Sequence, residues 1–108
     1  MIQPMVFIET KAFTRLLGQY LDDESYNSLQ AYLAERPDAG AVIRGSGGVR
    51  KVRWAPSGKG KSGGVRVIYY WLTADEQVLF LTLYGKNEKE NLSNAEVKAM
   101  AKLIEELK

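Results

Sequence analysis

Two apolar runs, Val65–Leu72 (VRVIYYWL) and Val78–Tyr84 (VLFLTLY), lie five residues apart. Both are rich in β-branched and aromatic residues and have the length of a strand. Parallel strands need a crossover of a dozen or more residues, and Thr73–Glu76 leaves room only for a turn. The runs therefore pair as an antiparallel hairpin. Along the first run, Val65, Val67, Tyr69 and Trp71 take one face, and Arg66, Ile68, Tyr70 and Leu72 take the other.

The rest of the chain is read around that hairpin. Met5–Glu9 (MVFIE) is a short apolar run, too short for a helix, and is expected to be a first strand. Thr10 is placed to cap a helix whose apolar face holds Phe13, Leu16, Leu17 and Tyr20, with Gly18 as a candidate early stop. Asp22, Asp23 and Glu24 open a second helix, where carboxylates suit the positive end of the dipole. Tyr26, Leu29, Gln30 and Leu33 recur at helical spacing, and Pro37 stops that helix. Tyr26 and Tyr32 are read as packing residues. Pro37–Gly48 is expected to be loop. Val49–Trp54 alternates, with Lys51 and Arg53 on one side and Val52 and Trp54 on the other, as in a half-buried strand. Pro56–Gly64 is a loop of glycine and lysine. Ser93 and Glu96 form a capping box, followed by a helix with a stripe of Val97, Met100, Ala101, Ile104 and Leu107. That stripe either packs on the chain's own sheet or trades places with a partner's helix. The order strand, helix, helix, three strands, helix predicts a single α+β domain over residues 1–108. Its small, twisted, mainly antiparallel sheet would have helices on one face and the other face open.

Charge is distributed unevenly. From Ala39 to Ala74 there is no carboxylate, yet Arg44, Arg50, Lys51, Arg53, Lys59, Lys61 and Arg66 all fall there. Those are seven of fifteen cations in a chain of net charge +2, so the remainder is acidic. A local positive field on a nearly neutral molecule points to a polyanionic partner, of which nucleic acid is the commonest. The cations alternate along strands and are bracketed by glycines, which favours a fixed anion site over a solvated tail.

Several chemistries are excluded. With no histidine and no cysteine, there is no Ser–His triad, no His pair, no thiolate metal site and no disulfide. No metal or cofactor is expected, since the basic stretch has no carboxylate to hold a hard cation. Gly60-Lys61-Ser62 imitates the end of a P-loop, but Ala55 stands where the first glycine belongs and a strand follows instead of a helix. No apolar run is long enough to span a membrane. MIQPMVFIET has neither a basic leader nor a long apolar core, so a cytoplasmic location is expected.

Three pieces, VRKVRW, GKGKSGGVRVIYYWL and LTLYGKNEKENL, taken in order and at this spacing, resemble the RelE/HigB group of bacterial toxins from type II toxin–antitoxin modules. The YGKNE ending is most similar to the HigB-like branch. The resemblance implies a microbial-RNase-like α+β fold and an endoribonuclease that cuts messenger RNA, usually on the ribosome. It also implies inhibition by a cognate helix-turn-helix antitoxin of the HigA type. Lys51 and Arg53 match the paired cations of the family's second strand, and Arg66 matches the arginine that opens the third. Two family residues do not carry over. Asn87 stands where an arginine follows the Gly-Lys pair, and Ser93 stands near the place of the catalytic tyrosine. Tyr84, Lys86 and Tyr70 are the substitutes the sequence offers.

RNA can be cut without metal or histidine because its own 2′-hydroxyl is the nucleophile. The protein must align that oxygen, neutralise the phosphate and handle two protons. Arg66 and Arg53 suit the phosphate, since a guanidinium grips it bidentately and stays charged. Lys51, set among like charges, is the expected general base, with Lys61, Lys86 and Tyr84 behind it. Arg50, Lys59, Lys61 and Asn87 are expected to bind RNA without taking part in the chemistry. Two other readings fit the same fold: a non-cleaving ParE-like toxin, and an RNA-binding module whose Trp54, Tyr69, Tyr70 and Trp71 stack bases.

Overall fold

The computed structural model describes residues 4–55, 64–89 and 91–107. Its elements in chain order are β1 (Val6–Glu9), α1 (Lys11–Tyr20), α2 (Asp23–Glu35), β2 (Ala41–Val42), β3 (Arg50–Trp54), β4 (Val65–Leu72), β5 (Gln77–Gly85) and α3 (Asn94–Leu107). The five strands form one sheet in the order β1-β5-β4-β3-β2. The expected hairpin is its centre: β4 and β5 pair antiparallel through a short 3-10 turn, Thr73–Asp75, and Glu76 takes the left-handed conformation that reverses the chain. β3 runs antiparallel to β4, and β1 is parallel to β5.

The helix boundaries follow from local chemistry. Thr10 Oγ1 accepts from the Phe13 N–H at 3.1 Å, and Asp22 Oδ1 accepts from the Ser25 N–H at 2.8 Å, so both N-caps are made by side chains. Ser93 and Glu96 exchange the reciprocal bonds of a capping box at 3.1 and 2.8 Å. α2 ends at Glu35, two residues before Pro37, as a helix must before proline. Gly18 does not end α1, which continues to Tyr20. Nothing lies within 4 Å of a Cβ built at Gly18, so it is an exposed helical glycine with no turn to make.

Two other expectations need correction. Ala41–Val42, read as loop, is a short edge strand on β3. Two residues are too few for periodicity to reveal, and their pairing depends entirely on β3. The helices also do not share one face. α1 and α2 cover the side formed by Val52, Val65, Val67, Tyr69, Val78, Phe80 and Leu83, where Phe13, Leu29 and Leu33 are fully buried. α3 lies on the other side, with Ile104 and Met100 against Val49, Ile68, Leu81 and Tyr84. The face expected to be open is thus partly covered, which explains why β4 is buried on both sides over most of its length.

The register of β5 against β4 is irregular. Strict alternation puts Phe80 and Tyr84 on the same face. Instead the register shifts: Ile68 pairs with Thr82 while Tyr69 pairs with Phe80, leaving Leu81 as an extra residue. This bulge places Phe80 and Leu83 in the α1/α2 core and turns Leu81 and Tyr84 to the α3 side.

A buried knot fixes the start of β2. Tyr69 Oη donates to Pro37 O at 2.8 Å and accepts from the Gly40 N–H at 2.9 Å. The Arg50 guanidinium donates to Asp38 O at 3.1 Å and Gly40 O at 2.7 Å. A Cβ at Gly40 would stand 2.9 Å from Lys51 O and from the Tyr69 ring, with no room to yield. Gly40→Ala is therefore expected to cost about 1–3 kcal/mol, as overpacking does in tight cores. Urea unfolding checks this through a lower midpoint at unchanged slope. A midpoint shift equivalent to less than about 0.5 kcal/mol, the range of an ordinary surface substitution, would show that the knot yields.

Candidate nucleic-acid interface

On the α3 side of the sheet, register sets a row across three strands. Arg53 of β3 pairs with Arg66 of β4, and Arg66 pairs with Tyr84 of β5. Directly paired residues share a face, so the two arginines and the tyrosine stand side by side. The bulge completes this row, since without it Tyr84 would face α1.

Arg66 is the singular member. It is 7 % exposed and is the only charged residue buried among the described residues. No carboxylate among the described residues pairs with it, the one ion pair there being Lys89–Glu96 at 2.7 Å. A buried cation without a counter-charge is costly, at several kcal/mol of effective desolvation. It opens onto a cleft of about 360 Å³ lined by Arg53, Trp54, Ala55, Gly64, Arg66 and Lys86. Three cations, one of them held at a fixed place by the sheet, surround a space suited to a phosphate group.

Lys86 reaches this cleft from the turn after β5. The turn is held by backbone and side chain: the Lys86 N–H donates to Gly64 O at 3.2 Å, and Gly85 N–H donates to Glu88 Oε1 at 2.7 Å. Tyr20, the last residue of α1, donates its hydroxyl to the same carboxylate oxygen. That bond holds the Glu88 carboxyl below its usual range and pushes the Tyr20 hydroxyl up to about 12. Asn87 is exposed on the same turn.

The other sequence candidates lie elsewhere. Lys51 shares the face of Arg53, but its ammonium donates to Asn91 Oδ1 at 2.8 Å and lines a second cleft. Arg50 pairs with Tyr69 on the opposite face and is bonded to the Asp38 and Gly40 carbonyls, a structural setting and not an exposed one. Tyr84 packs beneath α3, with the Lys89 ammonium 5.0 Å above its ring. Its hydroxyl is buried and unpartnered, and burial raises its pKa against the opposing pull of Arg66. Burial thus favours the protonated hydroxyl. Lys59 and Lys61 lie outside the described residues. Sequence reading missed Asn91 as the partner of Lys51, because 40 residues separate them and no local pattern links them.

The aromatic side chains offered for base stacking are mostly engaged. Tyr69 is fully buried, Trp71 packs on the α1/α2 core, and Trp54 stacks obliquely on Tyr32 at 5.3 Å while donating to Ser25 O at 3.1 Å. Of these three only Trp54 lines the cationic cleft, and its indole is held there by Tyr32 and the Ser25 carbonyl.

Beside the cleft, α3 begins at a charged anchor. Glu96 accepts from Lys89 first and from the Ser93 N–H second, and both hold its carboxyl below the ordinary glutamate value. A depressed folded pKa means the stabilisation is complete above the unfolded value of about 4.3. It is lost as pH falls through the folded value. Glu96→Gln should therefore flatten the acid limb of a stability–pH curve below about pH 5, leaving the limb above it nearly parallel to wild type. Parallel acid limbs would show that Glu96 is solvated in both states.

Comparison with known proteins agrees with this architecture. The family model described as the RelE toxin of the RelE/RelB toxin–antitoxin system matches residues 7–108. Among solved structures, the toxin RelE of Escherichia coli, as a doubly substituted mutant in the free state, superposes with a TM-score of 0.53 at 20% identity. The match covers 92% of this chain and 95% of that one. At that identity the likeness speaks for the fold, which is α+β with three helices and a mixed five-stranded sheet.

Proposed function

Because the chain belongs to the RelE family of toxins from toxin–antitoxin systems, we infer that it is a metal-independent endoribonuclease that cuts messenger RNA on the ribosome. Toxins of this family generally inhibit translation in that way. The observation that carries the reading is Arg66: a buried cation with no carboxylate partner among the described residues, facing a cleft that Arg53 and Lys86 complete. A negative group supplied from outside removes the cost of burying that charge.

In this reading the 2′-oxygen of the RNA attacks the adjacent phosphorus. The P–O2′ bond forms and the P–O5′ bond breaks, giving a cyclic phosphate and a free 5′-hydroxyl. The 2′ proton goes to a base, and a proton is delivered to the departing 5′-oxygen. Arg66 and Arg53 hold the phosphate and its growing charge, while Lys86 approaches from the turn. Lys51 is the base in this proposal. It sits on the same face, two residues from Arg53, and as a neutral amine it can keep one N–H on Asn91 while its lone pair takes the proton. Tyr84 stands beside Arg66 in the same row.

A base–clamp distinction is testable. Lys51→Arg keeps the charge and removes the titratable amine. Single-turnover cleavage by wild type should rise with pH above about 7, with no break near the ~6.5 of a histidine. The variant should lose that rise and fall roughly 10²-fold in rate. Wild-type rates and pH dependence in Lys51→Arg would leave Lys51 as an electrostatic clamp.

We assign the chain to the HigB-like branch on its YGKNE ending, with a HigA-like helix-turn-helix antitoxin as partner and the cytoplasm as the place of action. The decisive experiment is primer-extension mapping of messenger RNA in cells after induction. Discrete new 5′ ends within translated regions are expected. Growth arrest with intact messenger RNA would replace this reading with a ParE-like, non-cleaving toxin.

A further inference from the structure

A second cleft of about 350 Å³ lies on the same face of the sheet, next to the first. Its walls are Ile43 and Arg44 just after β2, Lys51 of β3, and Asn91, Leu92 and Val97 at the approach to and first turns of α3. The chemistry is mixed in a particular way. Ile43, Leu92 and Val97 are each only half-buried. Above this apolar floor stand two cations, Arg44 and Lys51, and one amide, Asn91. Lys51 donates to the Asn91 carbonyl oxygen at 2.8 Å, which fixes the amide and leaves its NH₂ free to donate into the cleft.

An apolar floor, one oriented amide and cations at the rim are the complement of a nucleoside with its phosphate. The base would lie against aliphatic side chains, the amide would meet a hydrogen-bonding edge, and the cations would meet the backbone. The volume is at the low end of the ~300–1,000 Å³ typical of small-molecule sites, which suits one nucleoside. A protein partner fits less well, because lysine is depleted from the cores of protein interfaces. Spacing agrees. Lys51 and Arg53 are two residues apart on one face, so the two clefts are joined by a step of about 7 Å along β3. Resting on the ribonuclease reading above, we propose that this cleft holds the nucleoside next to the scissile phosphate and gives the toxin its base preference at that one position, with Asn91 as the reading group.

The test uses the isolated toxin and 2′-O-methyl trinucleotides, which lack the nucleophile and cannot be cut. In methyl-detected NMR titrations, saturable shifts are expected at Ile43, Leu92 and Val97, differing among trinucleotides that vary in one base. Asn91→Ala, an exposed substitution, should erase that difference, and Val97→Trp should fill the cleft and abolish the methyl shifts. Methyl shifts that are absent or do not saturate would overturn the proposal. So would methyl shifts produced by the antitoxin but not by the trinucleotides, which would assign the cleft to a protein. A second arm maps cuts on ribosome-bound messenger RNA. Base preference at one position beside the cut should flatten by about 3–10-fold in Asn91→Ala, the scale of one lost hydrogen bond. If wild type cuts and the two maps superimpose, the subsite is wrong and the ribonuclease reading stands. If wild type does not cut, that reading fails while the NMR arm still decides the subsite.

Discussion

Arg66→Ala is expected to lower single-turnover cleavage of ribosome-bound messenger RNA by roughly 10²–10³-fold, the loss seen when one fixed donor to a developing oxyanion is removed. The magnitude follows from where the charge sits. A surface arginine reorganises with solvent and can be replaced by a neighbour, whereas Arg66 is held at the centre of the sheet between Arg53 and Tyr84. A pre-oriented charge costs little to reorganise when the transition state forms. The fold should survive, since the substitution removes a buried cation that no carboxylate among the described residues stabilises. Circular dichroism and a melting curve check that point alongside the rate. Arg66→Lys should recover only part of the activity, because a lysine keeps the charge but not the planar fork. Wild-type growth arrest by Arg66→Ala at matched expression would remove Arg66 from the chemistry.

The largest stability effect is expected at Phe80. Its ring stacks on Phe13 at 4.8 Å and on Phe7 at 5.7 Å, and Tyr26 tilts against it at 5.7 Å. It is fully buried, and it joins β1, α1 and α2 to the central hairpin through one side chain. Phe80→Ala should cost about 3–5 kcal/mol, combining lost transfer energy with the cavity left behind. In a domain of this size that corresponds to a melting temperature roughly 15 °C lower. Total stabilities of small domains are about 5–15 kcal/mol, so a substantial unfolded fraction at growth temperature is expected. A drop of only a few degrees would mean that the neighbouring aromatics collapse into the space.

How much of this was legible in advance depends on the range of the interactions. The helix starts at Thr10, Asp22 and Ser93 were readable because each cap lies within three residues of the group it bonds. The hairpin was readable because its turn is too short for any other connection. The paired placement of Lys51 and Arg53 follows from the two-residue period of a strand. By contrast, the bulge at Leu81 obeys no local rule. It reflects the need to bury Phe80 and Leu83 on one side and Leu81 and Tyr84 on the other, and that need exists only once helices cover both faces.

The candidate site divides along the same line. The sequence by itself determined which residues carry charge, that no carboxylate is interleaved among them, and that histidine and thiolate chemistry is excluded. These are properties of composition and order, and folding cannot change them. Only the tertiary structure decided which cations meet. It placed Arg66 between Arg53 and Tyr84, brought Lys86 to their cleft, and gave Lys51 to Asn91. It also turned Arg50 away to hold the loop before β2. The physical reason is strand register, which is set by burial of apolar side chains far apart in the chain. A shift of one residue would send every cation on a strand to the opposite face.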